Sequence, residues 1–269
     1  MKKFTKVLAL ILSAVLVAAC FAACSKATED DKQVNATQSD FDYIKEKGKL
    51  VVGITEFEPM DYKDANGEWI GFDADLGKAV AEKMGVDIEF VVIDWDNKFL
   101  ELDTKAIDCI WNGMTITNEV TQNSSATNAY AVNQQIVVMS ADKSANYTTV
   151  ESLKDLTFAV ENGSAGQEAA EAQGLKTVAV TAQADALLEV KSGAVDACII
   201  DSTMALAMTG EGTDYADLTT SVSLAEEQYG ISFRKDSDMT EKMNAYLEEF
   251  KADGTLKALS EKYGVLLAD

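Results

Sequence analysis

Apolar residues recur along this chain with two periods, and the alternation between them sets out its organisation. Lys49–Ile54 (KLVVGI) is a short apolar run after Gly48 and reads as a buried strand. Phe72, Leu76, Val80 and Met84 recur every four residues, opened by Gly71-Phe72-Asp73 and halted at Gly85, which predicts an amphipathic helix. Val86, Ile88, Phe90 and Val92 then alternate with polar positions, the period of a strand. A short helix over Lys98–Asp103 leads to a strand at Asp108–Asn112. Further on, Thr157–Glu161 and Lys176–Val180 predict strands, with a helix after Gly166 between them. Met239–Phe250 and Leu256–Tyr263 predict two amphipathic helices that pack back on the first half. Strands alternating with helices predict an α/β fold with a parallel, doubly wound sheet.

One pattern occurs twice. Leu100-Glu-Leu-Asp-Thr-Lys-Ala-Ile-Asp108 and Leu188-Glu-Val-Lys-Ser-Gly-Ala-Val-Asp196 lie 88 residues apart. Each reads as a helix end, a turn and the entry to a buried strand. The spacing is that of a small domain, so the expectation is two lobes of like architecture. Gln134–Ser140 and Gly230–Lys235 read as the crossover segments, giving one lobe from residues 41–138 with 231–269 and another from 139–230. In open α/β sheets, ligands bind beyond the carboxyl ends of the strands. That rule sets Asn112, Gly113 and Thr115 of the first lobe opposite Asp201 of the second.

The amino terminus follows a different pattern. Lys2, Lys3 and Lys6 precede an apolar run from Val7 to Ala19, broken only by Ser13, and the runs Ala18-Ala19-Cys20 and Ala22-Ala23-Cys24 follow. A charged start, a short apolar middle and small residues form an export signal over residues 1–24. A cysteine behind a small pair resembles a bacterial lipobox, in which that cysteine is lipidated; Cys20 and Cys24 fit it equally. The alternative is a membrane anchor of 18 residues, Val7–Cys24, and either reading leaves the remainder tethered outside the cell. Residues 25–40 are polar and read as a flexible tether, while the rest suffices for two modest domains.

Composition then removes whole classes of function. The formal net charge is −22, and loss of the three leading lysines would bring it to about −25, which repels nucleic acid and anionic lipid. The membrane is therefore reached only through the amino-terminal anchor. There is no histidine, which takes away the usual general base and the commonest metal ligand. Cys109 and Cys198 sit in strand contexts and read as buried apolar residues rather than a disulfide or metal pair. No cofactor and no metal are expected.

Five motifs, in this order, carry a family resemblance: Gly67-Glu-Trp-Ile-Gly-Phe-Asp73, Asn112-Gly-Met-Thr-Ile-Thr117, Val160-Glu-Asn-Gly-Ser-Ala-Gly166, Val195-Asp-Ala-Cys-Ile-Ile-Asp201 and Tyr229-Gly-Ile-Ser-Phe-Arg-Lys235. From about Asp40 to Gly264 the chain resembles the polar-amino-acid group of solute-binding lipoproteins of bacterial ABC importers (extracellular solute-binding protein family 3, type II periplasmic-binding-protein fold). The resemblance implies a monomeric, non-catalytic protein, lipid-anchored on the extracytoplasmic face of the cell membrane. It would close on an amino-acid-like solute as a Venus flytrap does and present it to permease subunits. Asp201 would clamp the ligand's ammonium, with Asn112, the Gly113 carbonyl and the Thr115 hydroxyl sharing it. The alternative for Asp201 is the cap of a helix over Ser202–Met208. The turn at Ser164, Ala165 and Gly166 opens a helix and suits a carboxylate. Phe57 and Trp95 match two aromatics that sandwich the side chain, and Glu56 lies near an acidic family position in a loop that is one residue short.

One position departs from the pattern. Three residues after Thr117 the family usually places an arginine that clamps the carboxylate, and here stands Val120; Arg234 is the only arginine in the chain. Either the helix start at Ser164 holds the carboxylate, alone or with a lysine, or the ligand is not a standard α-amino acid. Two other classes share the pattern. A dehydratase-type enzyme on this fold needs only a placed carboxylic acid, for which Glu56, Glu58 or Asp94 would serve. A sensory ectodomain would need a second membrane segment or a signalling domain, and the pattern predicts neither before Asp269.

Overall fold

The computed structural model describes residues 39–269. The expected signal sequence, with Cys20 and Cys24, lies outside the described residues, as does most of the expected tether. Regular structure begins two residues inside that tether. The Ser39 hydroxyl accepts the Asp42 amide and caps the first helix, and the Asp40 carboxylate meets the Arg234 guanidinium at 3.0 Å.

In chain order the elements are α1 (Asp40–Lys47), β1 (Lys49–Ile54), β2 (Tyr62–Lys63), β3 (Trp69–Ile70), α2 (Phe72–Met84) and β4 (Asp87–Val92). A 3₁₀ turn at Trp95–Asn97 leads to α3 (Lys98–Asp103), β5 (Cys109–Thr115), α4 (Asn118–Asn123), β6 (Ser125–Ala126) and β7 (Ala131–Ser140). The second half holds β8 (Thr157–Glu161), α5 (Ala165–Ala172), β9 (Lys176–Val180), α6 (Gln183–Ser192), β10 (Ala197–Asp201) and α7 (Ser202–Met208). The long β11 (Leu218–Phe233) returns to the first half, where α8 (Met239–Asp253) and α9 (Thr255–Tyr263) close the fold. The predicted strands β1, β8 and β9 and the helix α2 carry the predicted bounds, because each is bracketed by a glycine or a polar turn. The helix of the second half starts at Ala165, before Gly166, because Ser164 caps it.

The strands form one curled sheet in the order β4-β1-β5-β11-β7-β10-β8-β9, with β6 alongside β11. Parallel pairs β1–β4 and β1–β5 make up one half, and β10–β8 and β8–β9 the other. Between them β11 pairs with β7 as far as Tyr229 and with β5 from Tyr229 onward. At the rungs Val132–Gln228, Asn133–Glu227 and Gln134–Glu226 the connection is only two strands wide. The crossing thus meets the first of the segments read from the apolar pattern at Gln134 and lies a few residues before the second, because β7 and β11 each extend as one strand from half to half.

The duplicated sequence pattern has a duplicated structure. Asp108 and Asp196 occupy equivalent corners: each carboxylate accepts a backbone amide of the neighbouring parallel strand, from Val51 of β1 at 2.7 Å and from Thr157 of β8 at 2.9 Å. Each is preceded by a left-handed residue, Lys105 (φ 62°) and Gly193 (φ 78°). Arg234 donates to the Leu102 and Ile107 carbonyls in the first of these corners, so the chain's one guanidinium ties β11 and α1 to the β5 entrance. Cys109 and Cys198 are buried free thiols. Among the described residues no helix is long and apolar enough to cross a membrane.

Candidate ligand-binding cleft

The carboxyl ends of β1, β5, β8 and β10 converge on a cavity of about 350 Å³ that draws its lining from both halves of the sheet. Asp201 ends β10 and is 3% exposed. Its Oδ1 accepts from Gln135 Nε2 at 2.9 Å, from the Tyr229 phenol at 2.8 Å and from Asn133 Nδ2, while Oδ2 accepts from Gln183 Nε2. All four donors are neutral. Burial, with Glu227 close by, holds the Asp201 carboxyl well above the usual carboxylate range. Asp201 does not cap α7. The start of that helix is satisfied by Asn133 Oδ1, which accepts from Ser202 Oγ, Thr203 N and Thr203 Oγ1, and Asp201 is left facing the cavity.

Across from it, the sequence motif at Asn112 forms the end of β5. Asn112 Oδ1 accepts the Thr55 amide and so ties β5 to the end of β1. Gly113 has φ 55°, and a Cβ there would stand 2.7 Å from Phe57 Cε1 and 3.2 Å from the Tyr229 ring. Its amide donates to the buried Asp73 Oδ2 at 2.6 Å. The Asp73 carboxyl is pushed up to about 7 by burial, against the bonds from Gly113 and Tyr130. Thr115 sits half-buried at the strand end. Phe57 and Trp95 both line the cavity at 2% and 8% exposure.

The opposite wall is the start of α5. Ser164 Oγ accepts the Gln167 amide at 3.1 Å, which leaves the Ala165 and Gly166 amides without intrahelical acceptors. Ser164 and Ala165 line the cavity. Gly166 does not: it packs against the sheet, where a Cβ would meet Gln135 Oε1 at 2.8 Å and the Ile199 carbonyl at 3.1 Å. Glu56 is exposed and also lies outside the lining. Val120 lines the cavity but is 2% exposed and packs with Ile93, Trp95, Leu102 and Met114.

Four of the lining residues that the sequence reading did not single out bear on the chemistry of the site. Lys98, at the start of α3, is 3% exposed and donates to the Gly163 carbonyl at 3.0 Å and the Trp95 carbonyl at 3.3 Å. Burial lowers its basicity, against the pull of Glu119, Glu161 and Asp96. Glu161 ends β8, and the strand-end rule that located Asp201 applies to it equally. Gln135 and Gln183 come from a hinge strand and a helix start, and no sequence signal distinguishes them from surface amides. Glu58 and Asp94 lie outside the lining.

The sequence pattern of bacterial extracellular solute-binding proteins, family 3, matches residues 50–265. The arginine-binding extracellular protein ArtP of Bacillus subtilis (strain 168) is 32% identical over 226 residues, covering 81% of this chain and 86% of that protein. A crystal structure of a mutant of ArgBP from T. maritima superposes with a TM-score of 0.77 at 37% identity, covering 83% of this chain and 98% of that one. The ancestral amino acid-binding protein AncCDT-1, a precursor of cyclohexadienyl dehydratase, matches with a TM-score of 0.77 at 32% identity, over 84% of this chain and 99% of its own.

Proposed function

Because the chain belongs to bacterial extracellular solute-binding protein family 3, we propose that it captures an amino acid or a related small amine outside the cytoplasm for an ABC importer. One observation carries this reading: Asp201, a buried carboxylate facing the cleft, is served by neutral donors alone. A buried carboxyl without a countercharge gains strongly when an ammonium joins it and draws it into its ionised form. Gly113, Asn112 and Thr115 complete the ammonium site, and Phe57 and Trp95 flank the ligand's side chain. The Ser164–Ala165 helix start takes the carboxylate, with Lys98 replacing the arginine that the family usually carries at position 120. Relatives that bind arginine support an amino-acid ligand.

Binding rather than catalysis is the role we assign. The reported relatives are binding proteins, and the first-lobe acids that a dehydratase would use, Glu56, Glu58 and Asp94, lie outside the cavity. Glu161 lies inside it, in the other lobe. The two lobes, parted at the Asn133–Glu227 rung, close about β7 and β11 on the solute, and the monomer presents it to the permease subunits. Diacylglycerol on Cys20 or Cys24 holds it at the extracytoplasmic face, so one Cys→Ser change abolishes metabolic lipid labelling.

The direct test is Asp201→Asn. Calorimetry with the twenty amino acids identifies the wild-type ligand, and the variant binds it at least about tenfold more weakly, about 1.4 kcal/mol, with its thermal midpoint little changed. Equal affinity in the two proteins removes Asp201 from the ammonium site.

A further inference from the structure

Asp201 has a neighbour of its own kind. Glu161 closes β8, and the pairing of Ala197 with Phe158 and Cys198 with Ala159 brings the ends of β8 and β10 side by side at the cavity. Glu161 is 2% exposed, and its Oε1 has no hydrogen-bond partner. It forms no ion pair among the described residues, since the ammonium of Lys98 is held by the Gly163 and Trp95 carbonyls. The other acids of the lining, Glu119, Glu168 and Glu171, are exposed at its mouth. Two buried carboxylates therefore face one cavity, where a single ammonium needs one. A buried carboxyl with a free oxygen is costly unless something fills the vacancy.

We propose that Glu161 is a second anchor for positive charge, so that the cleft selects an amino acid with a cationic side chain. This rests on the reading of Asp201 as the α-ammonium site. Glu161 then receives the side-chain cation from the second lobe, on the strand next to Asp201, while the first-lobe acid Glu56 stays outside.

The same arrangement couples binding to a proton. Burial pushes the Glu161 carboxyl up to about 8; Lys98 across the cleft draws it down, and Asp185 on α6 and Asp94 before α3 draw it up. Asp201 on β10 is the remaining buried acid facing the cavity. At neutral pH the empty cleft thus keeps Glu161 protonated. A cation placed against it favours the anion, and the proton leaves for the solvent.

L-Lysine and L-norleucine share a carbon skeleton and differ in the ε-ammonium, which makes them the probes. Calorimetry at about pH 7 in two buffers of different ionisation enthalpy gives affinity and protons released for wild type and for Glu161→Gln, which is isosteric with the protonated acid. In wild type, lysine binds at least about tenfold more tightly than norleucine and releases a proton that norleucine does not. In Glu161→Gln the preference and the proton release both disappear, and norleucine affinity is retained. An unchanged lysine-to-norleucine ratio and proton count in the variant overturn the proposal and leave the amino-acid reading standing. Failure of wild type to bind any amino acid overturns both.

Discussion

Lys98 of the first half of the molecule donates to the carbonyl of Gly163 in the second, at 3.0 Å. The same loop brings Gly163 so close to Asp96 that a Cβ would stand 3.0 Å from Asp96 Oδ1. Among the described residues Lys98 is the sole cation of the cavity lining. Lys98→Met keeps the apolar stem and removes that charge. The expected result is a loss of at least about tenfold in affinity for the α-amino acid, with the corresponding decarboxylated amine affected far less. Calorimetry on the pair decides it, since an equal loss for both makes Lys98 a contact between the halves and no carboxylate partner.

Gly113→Ala tests the wall shared by Phe57 and Tyr229. A side chain there meets both rings and must adopt φ 55°. Strain and overpacking together cost about 2–4 kcal/mol of stability. Chemical denaturation shows this as a lower midpoint, and ligand affinity falls with it. A variant as stable as wild type means that the Phe57 turn gives way.

Restoring the family arginine at position 120 does not restore a clamp. Val120 is buried among Ile93, Trp95, Leu102, Ile107, Ile110 and Met114, so a guanidinium there displaces apolar packing. Val120→Arg therefore destabilises the fold by about 2 kcal/mol or more and leaves carboxylate binding no tighter. Thermal unfolding with calorimetry checks both halves of the statement; tighter carboxylate binding in a stable variant contradicts it.

Stability depends on pH through the same buried acids. Asp73 is raised to about 7 and Glu161 to about 8, each chiefly by burial, and Asp61 lies well above its ordinary value beside Asp73. An acid raised in the folded state is bound to its proton more tightly there than in the unfolded chain. Its contribution is complete below about pH 4 and is lost as the pH climbs to about 8. Asp40 and Asp75 are lowered and act oppositely, losing their contribution as the pH falls below about 4. The ligand-free protein is thus more stable at pH 5 than at pH 8 by at least about 1 kcal/mol. Scanning calorimetry measures it, and Asp73→Asn or Glu161→Gln flattens the slope.

Most of the fold was legible because its signals are local. Phe72–Met84 announces itself by its period and stops at Gly85 (φ 66°), and the Asp108 and Asp196 corners repeat both sequence and backbone. The cavity lining was legible only where it lies in such motifs, as Asp201, Asn112, Gly113 and Thr115 do. Lys98 escaped because its burial depends on the opposite half of the molecule, which no spacing along α3 encodes. Val92 fits the apolar alternation of β4 and is nonetheless 58% exposed, since β4 is the edge of the sheet. Glu56 matched by sequence position, but the turn that closes Phe57 onto Asp61 leaves it in solvent.

At its waist the molecule is a ribbon two strands wide, and its middle rung is Asn133–Glu227. Narrow ribbons take up twist far more readily than broad sheets do. Relative motion of the halves is therefore torsional, with β7 and β11 as the shaft. Asn133 donates at once to Asp201 and to Glu227, so the proposed ammonium anchor is bolted to the shaft itself. A cation that takes over the charge of Asp201 unloads the bonds on that rung. If Asp201 holds the ligand's ammonium as proposed, binding resets the torque where it is borne, and the rims of the cleft follow.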